Sequence, residues 1–264
     1  MSLSAKKSLG QNFLKSRKAI RAMIESPNIT SDDVVVEIGP GKGALTKPLL
    51  ETGATVIAFE LDERMIVYLR EHLAEYIQRE QLVLIHQDVL QADLSRYTNG
   101  KPYKVVANIP YYITNLILRT FLSGRYQPTS MCLLVQKEVA ERIVARDGKE
   151  SILSLSVKLY GIPTYIMKVA REYFSPSPRV DSAVILIDKI HRHPYLTTEF
   201  EEQFFAIMKS AFAHKRKRAI KNLQSMNDRK IWEDIFTELA LNNDVRAEDI
   251  PFNLWIQIVD KYLE

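Results

Sequence analysis

The chain contains a single cysteine, Cys132, so neither an internal disulfide framework nor a thiolate zinc site is available to it. Long apolar runs are missing as well. Stretches such as Met131-Cys-Leu-Leu-Val135 fall far short of the roughly 20 residues that a membrane-spanning helix requires. The N-terminus carries lysines with no apolar stretch behind them, so no secretory signal and no membrane attachment are expected. Neither sign of charge dominates, with 36 Lys and Arg against 32 Asp and Glu and a formal net charge of +4. Repeats and low-complexity tracts are absent too. What is present is 264 residues, 46% hydrophobic and 26% charged. That composition supports a packed core and excludes disordered or collagen-like chains. The expectation is a soluble, cytoplasmic, globular protein of one large domain, or of one large and one small.

Apolar runs alternate with amphipathic stretches from about residue 18 to 190. Val34–Ile38, Thr55–Phe59, Leu82–His86, Lys104–Asn108 and Met131–Val135 read as strands. Helical periodicity lies between them at 43–52, 62–76 and 113–123, and follows at 137–146. This alternation predicts a doubly wound α/β sheet, mostly parallel. Two β-branched runs, Tyr165–Val169 and Ala183–Ile187, flank a Pro-punctuated loop and predict antiparallel strands closing one edge. Beyond His191-Arg-His193-Pro194 the periodicity is helical only, at 198–213, 215–225, 229–241 and 252–262. A boundary near 192–196 therefore divides residues 1–192 from a small all-α domain at 193–264.

Four constellations carry chemistry, each at the expected end of a strand. Glu37-Ile-Gly39-Pro-Gly41-Lys-Gly43 joins a strand to a helix, and its glycines permit a tight turn with no Cβ facing a ligand. It is neither a P-loop nor G-x-G-x-x-G, and such loops serve many nucleotide ligands. Glu60, about 20 residues on, is placed to accept hydrogen bonds from ribose hydroxyls. Asp62 fits a helix N-cap. Asp88 ends the third strand, where it suits either an exocyclic amine or the cap of a short turn. Asn108-Ile-Pro110-Tyr111 ends the fourth. There an amide oxygen and a backbone carbonyl can accept both hydrogens of an exocyclic NH₂. Tyr111 offers an aromatic face to a base taken out of its stack.

Charge adds a partner class. The first 30 residues hold Lys6, Lys7, Lys15, Arg17, Lys18 and Arg21 against one acid. Lys215-Arg216-Lys217-Arg218, with Lys221, forms a second basic cluster, expected on a short helix and suited to phosphates. Cys132 reads as inert core. His191-x-His193 has no third ligand in view, so no metal site is expected.

In order, these motifs resemble the rRNA adenine N6,N6-dimethyltransferase family of S-adenosylmethionine-dependent enzymes. The resemblance rests on Leu9-Gly-Gln-Asn-Phe-Leu14, Glu37–Gly43, Glu60-Leu-Asp62, Gln87-Asp88 and Asn108–Tyr111. It continues through Val135–Arg142, Phe174–Ser182, Phe204-Phe205, Ala211-Phe212 and Lys215–Leu223, and so covers nearly the whole chain. It implies a class I methyltransferase (Rossmann-like) fold with a helical C-terminal RNA-binding domain. By position, Asn12, Leu14, Gly39, Gly41, Glu60, Asp88 and Asn108 would line the S-adenosylmethionine site. Asn108, Pro110 and Tyr111 would hold the target adenine and Phe174 would stack on it. The implied substrate is a pair of adjacent adenosines near the 3′ end of small-subunit rRNA in the pre-ribosomal particle, with the enzyme acting as a monomer.

The sequence departs from the family's usual pattern at Tyr112 and at Lys149–Leu153. A resistance methyltransferase of large-subunit rRNA shares Asn-x-Pro-Tyr, although the Gly39-Pro40-Gly41 loop and the Phe212–Leu223 segment fit the small-subunit enzyme better. An assembly or transcription factor that keeps the fold without the reaction has no use for Glu60, Asn108 and Tyr111. A nicotinamide dehydrogenase has none for Asn-Ile-Pro-Tyr.

Overall fold

The computed structural model describes residues 4–6, 9–193 and 196–264. Its strands are β1 (Phe13–Leu14), β2 (Val34–Ile38), β3 (Thr55–Glu60), β4 (Leu82–His86) and β5 (Tyr103–Asn108), then β6 (Ser130–Gln136), β7 (Ile162–Val169), β8 (Phe174–Ser175) and β9 (Ser182–Asp188). Seven of them form one sheet in the order β4-β3-β2-β5-β6-β9-β7. The pairs from β4 to β6 are parallel, while β9 runs antiparallel to both β6 and β7. Every strand read from the sequence is present. β-Branched runs such as Val34-Val-Val36 suit strands buried on both faces by helices.

Chain order reverses between β2 and β5. In such sheets the crevice opens outside the carboxyl ends of the strands flanking the reversal. Here those ends are Ile38 and Asn108, with Glu60 at the end of the next strand, β3. The β1–β8 ladder, Phe13 opposite Ser175 and Leu14 opposite Phe174, is not foreseen by periodicity, because two-residue strands have none.

Two compact units are distinguished: Met1–Ala140 with Gly161–His191, and Glu141–Tyr160 with Arg192–Glu264. The second therefore recruits a segment that precedes the last strands of the sheet, a grouping that a linear boundary at 192–196 does not reveal. Residues 194 and 195 of that boundary lie outside the described residues, as does Lys7. The second unit packs helices Ile152–Lys158, Thr198–Ala211, Ala219–Leu223, Arg229–Glu238 and Phe252–Leu263 around buried Phe204, Trp232, Phe236 and Trp255. Trp232 stacks on Tyr262 at 4.9 Å between ring centroids.

The helix expected over 215–225 starts only at Ala219. The reason is a contact made across the turn. Asn222 turns its amide back onto the carbonyls of Ala211 (2.6 Å) and His214 (3.1 Å), satisfying acceptors at the end of the preceding helix. Arg218 is held extended and bridges to Arg246. Lys215, Arg216 and Lys217 consequently sit on an exposed turn instead of a helix face. No described helix is long and apolar enough to cross a membrane.

Candidate active site

A cleft opens where the topology requires it. Its wall is built from the Leu9–Leu14 segment, the Glu37–Leu45 loop, Phe59–Leu61, Gln87–Val89 and Asn108–Ile113. All of these belong to the first unit. Asn12, Leu14, Gly39, Gly41, Glu60, Asp88, Asn108, Pro110 and Tyr111 are thus brought together on one wall.

The glycine loop is shaped by backbone conformation. Gly39 has φ +68° and open space where a Cβ would stand. Gly41 has φ +55°, and a Cβ there would meet the Phe13 ring at 3.0 Å. That close approach brings β1 over the loop, with Lys42 Nζ 4.9 Å from the Phe13 ring centroid.

Three acids at neighbouring strand ends differ sharply. Glu60 is buried and accepts hydrogen bonds from the backbone N–H groups of Gly41 (3.0 Å), Leu61 (2.9 Å) and Asp62 (2.9 Å). Burial pushes its carboxyl up while those donors pull it back. A carboxylate has about four acceptor positions, so the three bonds leave about one for a ligand. Asp62, the foreseen N-cap, accepts from Arg64 Nη2 (2.6 Å) and Nε (2.9 Å), Gln11 Nε2 (3.1 Å) and Lys6 Nζ (3.3 Å). The Arg64 hydrogen bond, helped by Gln11 and Lys6, holds its carboxyl well below the usual range.

Glu37 is the opposite case. It is 1% exposed, and its Oε2 has no hydrogen-bond partner. Burial pushes its carboxyl up to about 8; nearby Thr46 counters this in part, although its hydroxyl completes no hydrogen bond, and Glu60 adds to the rise.

Asn108 ends β5 with its Nδ2 donating to the Asn12 carbonyl at 3.0 Å. This bond orients the amide and leaves Oδ1 as the acceptor. The Pro110 carbonyl accepts from Ile113 N at 3.2 Å and keeps a second lone pair. Tyr111 is half-buried, its hydroxyl 2.6 Å from that of buried Ser182 on β9. Burial pushes its phenol up. Asp88 caps the Val89–Gln91 turn by accepting from Leu90 N at 3.0 Å.

Phe174 is the residue that the fold keeps away. It is 3% exposed within the hydrophobic cluster around Leu14, Val169 and Val184, and it lies off the cleft wall. Its cross-strand neighbour in the β1–β8 ladder is Leu14. Lys215, Arg216, Lys217, Arg218 and Lys221 are exposed in the second unit, where Arg218 pairs with Asp244 at 2.7 Å.

Sequence reasoning passed over Gln11, Phe13, Lys42 and Leu61 as wall residues. For Phe13 the available signal was Gly41, since glycine marks close approach.

A model of the ribosomal RNA adenine dimethylase family matches residues 2–264. The chain belongs to that family. It is 38% identical over 262 residues to the ribosomal RNA small subunit methyltransferase A of Fusobacterium nucleatum, covering 98% of each chain. The corresponding protein of Geobacillus thermodenitrificans is 40% identical over 227 residues, covering 83% of this chain and 76% of that one. Among solved structures, the 23S rRNA methyltransferase ErmE superposes with a TM-score of 0.80 at 24% identity, over 96% of this chain and all of the other. A dimethyladenosine transferase from Plasmodium falciparum gives 0.80 at 24%, over 95% and 97%. At that identity the two structures speak for the fold, which for this dimethylase family chain is that of class I methyltransferases.

Proposed function

We propose that this protein transfers methyl groups from S-adenosylmethionine to N6 of two adjacent adenosines in a 3′-terminal hairpin of small-subunit rRNA. The product is N6,N6-dimethyladenosine, made by a cytoplasmic monomer during assembly of the small subunit. Residues 1–192 carry the methyl transfer and residues 193–264 bind RNA.

The observation that carries this reading is the orientation of Asn108. With Nδ2 committed to Asn12, its Oδ1 accepts one N6 hydrogen and the Pro110 carbonyl accepts the other. An adenine amine is a poor nucleophile because its lone pair is delocalised into the ring. Two acceptors on its hydrogens localise that pair, and the Tyr111 ring, anchored through Ser182, holds the base plane. Orientation of this kind is worth up to about 7–11 kcal/mol. A positively charged nitrogen sheds its proton readily once methylated, so no general base is required.

The donor set also fits the cofactor. Glu60 retains an acceptor position for a ribose hydroxyl, Asp88 faces the cleft for an exocyclic amine, and Gly39 leaves its surface open. The unpaired Glu37 Oε2 suits a cationic group. When bound, S-adenosylmethionine supplies an electrophilic methyl whose thioether leaving group needs no acid. Asn12, Leu14 and Gly41 close the remaining wall. Phe174 stands opposite Leu14 in the β1–β8 ladder. Lys215, Arg216, Lys217, Arg218 and Lys221 meet phosphates, releasing counterions.

The test is incorporation of labelled methyl into undermethylated small subunits, with large subunits in parallel and identification of the product nucleoside. Dimethyladenosine in the small subunit is the expected result. Label in large subunits alone overturns the substrate assignment. Binding without label assigns an assembly role instead.

A further inference from the structure

Next to Tyr111 stands a second tyrosine that the reaction as described leaves unused. Tyr112 is 68% exposed, an unusual state for a large aromatic ring, and it forms part of the cleft wall. Its neighbour's hydroxyl is bonded to Ser182, whereas the Tyr112 hydroxyl has no hydrogen-bond partner among the described residues. Exposure of the ring therefore serves no polar contact within the protein.

The ring nevertheless has a built seat. Gly10 lies at φ +61°, a backbone region that side chains rarely adopt. A Cβ at Gly10 would stand 3.1 Å from Tyr112 Cε1 and 3.3 Å from Pro110 Cβ. Gly10 thus fills the space between the Tyr112 ring and the proline whose carbonyl faces the amine. Any larger residue would push one of them aside. Leu116, in the helix that follows, is also exposed.

We propose that Tyr112 is the stacking platform for the base adjacent to the extruded adenosine, and hence a residue that selects the RNA substrate without contacting the cofactor. This rests on the function proposed above. A nucleotide drawn into the cleft leaves its neighbour unstacked on one face, and an exposed aromatic ring at the mouth restores that stack. Base–aromatic stacking tolerates any base, so the platform favours an unpaired or easily opened neighbour over a particular sequence. It also suits a substrate in which two adjacent adenosines enter by turns, since the one outside the cleft has a place to rest.

The experiment compares Tyr112→Ala, Tyr112→Leu, Tyr112→Phe and Tyr112→Trp with the unaltered protein, on undermethylated small subunits as substrate. KM for the subunits, kcat, and the dissociation constant for S-adenosylmethionine are measured for each. Ala and Leu variants are expected to lose about 10-fold or more in kcat/KM for subunits. Phe and Trp should stay within about threefold, and cofactor affinity should be unchanged throughout. The Leu variant separates stacking from bulk, and the Phe and Trp variants keep the inference testable should Ala disturb the fold. Full activity in Ala and Leu, or an equal loss of cofactor affinity, overturns the role of Tyr112 alone. No methyl transfer by the unaltered protein overturns the proposed function and this inference with it.

Discussion

At the tips of β3 and β5, polar groups are bound to protein atoms before any ligand arrives. Glu60 holds three backbone amides, Asp62 gathers Lys6, Gln11 and Arg64, and Asn108 ties to Asn12. In the second unit, Lys215, Arg216 and Lys217 project from an exposed turn with no ion pair among the described residues. The first arrangement holds geometry and excludes water, as positioning chemistry requires. The second keeps charges hydrated, screened and interchangeable, as attraction to a phosphate backbone requires. Substitutions in the two places should therefore fail in different ways.

The largest expected effect is at Asn108. Asn108→Ala should lower kcat about 100- to 1000-fold, by analogy with removal of a single preorganised polar group. Cofactor affinity should fall only a few fold, as measured by titration. Equal losses in both would remove the distinction between holding the base and holding the cofactor.

Next comes Glu37, near the end of β2, whose buried Oε2 has no hydrogen-bond partner. Its folded pKa of about 8 lies above the ordinary 4.5, so the folded state of the free protein retains a proton that the unfolded state releases. Stability from this group is full below pH 4.5 and is lost as pH rises towards about 8, by at most about 1.4 kcal/mol per pH unit. Glu37→Gln should flatten that slope in denaturant melts. Glu60 shifts in the same direction and leaves a residue of it. An unaltered slope in the variant would mean that Glu37 ionises in place.

A smaller effect is expected at Asp62. Asp62→Ala removes the acceptor that ties Lys6 and Gln11 at the start of the cleft-lining segment and should weaken S-adenosylmethionine binding about 10-fold, the scale of hydrogen bonds to a charged group. The smallest effects belong to the turn. Lys215→Ala with Lys217→Ala should weaken subunit binding a few fold at moderate salt and reduce the salt slope by about 0.7–0.9 for each phosphate no longer neutralised. A salt-independent weakening there would place the turn among the geometric elements.

Much of this was legible along the chain. β-Branched runs announced the strands, and Glu60, Asp88 and Asn108 follow strand ends closely enough for spacing alone to bring them to one crevice. Asp62 and Asp88 are caps because Asp before a helical turn accepts its free amides, a local effect. The sequence thus determined the strands, the residues at their tips and the family to which the chain belongs. Other features depend on partners remote in sequence. The burial of Phe174 comes from pairing with Leu14 across the β1–β8 ladder, and the turn at 214–218 comes from Asn222 reaching back to Ala211. Grouping of 141–160 with the C-terminal helices was equally invisible. The ionisation of Glu37, the free Oδ1 of Asn108 and the seat of Tyr112 on Gly10 were decided only by the tertiary structure. Burial, hydrogen-bond pairing and steric room are properties of neighbours in space, and chain order alone does not specify them.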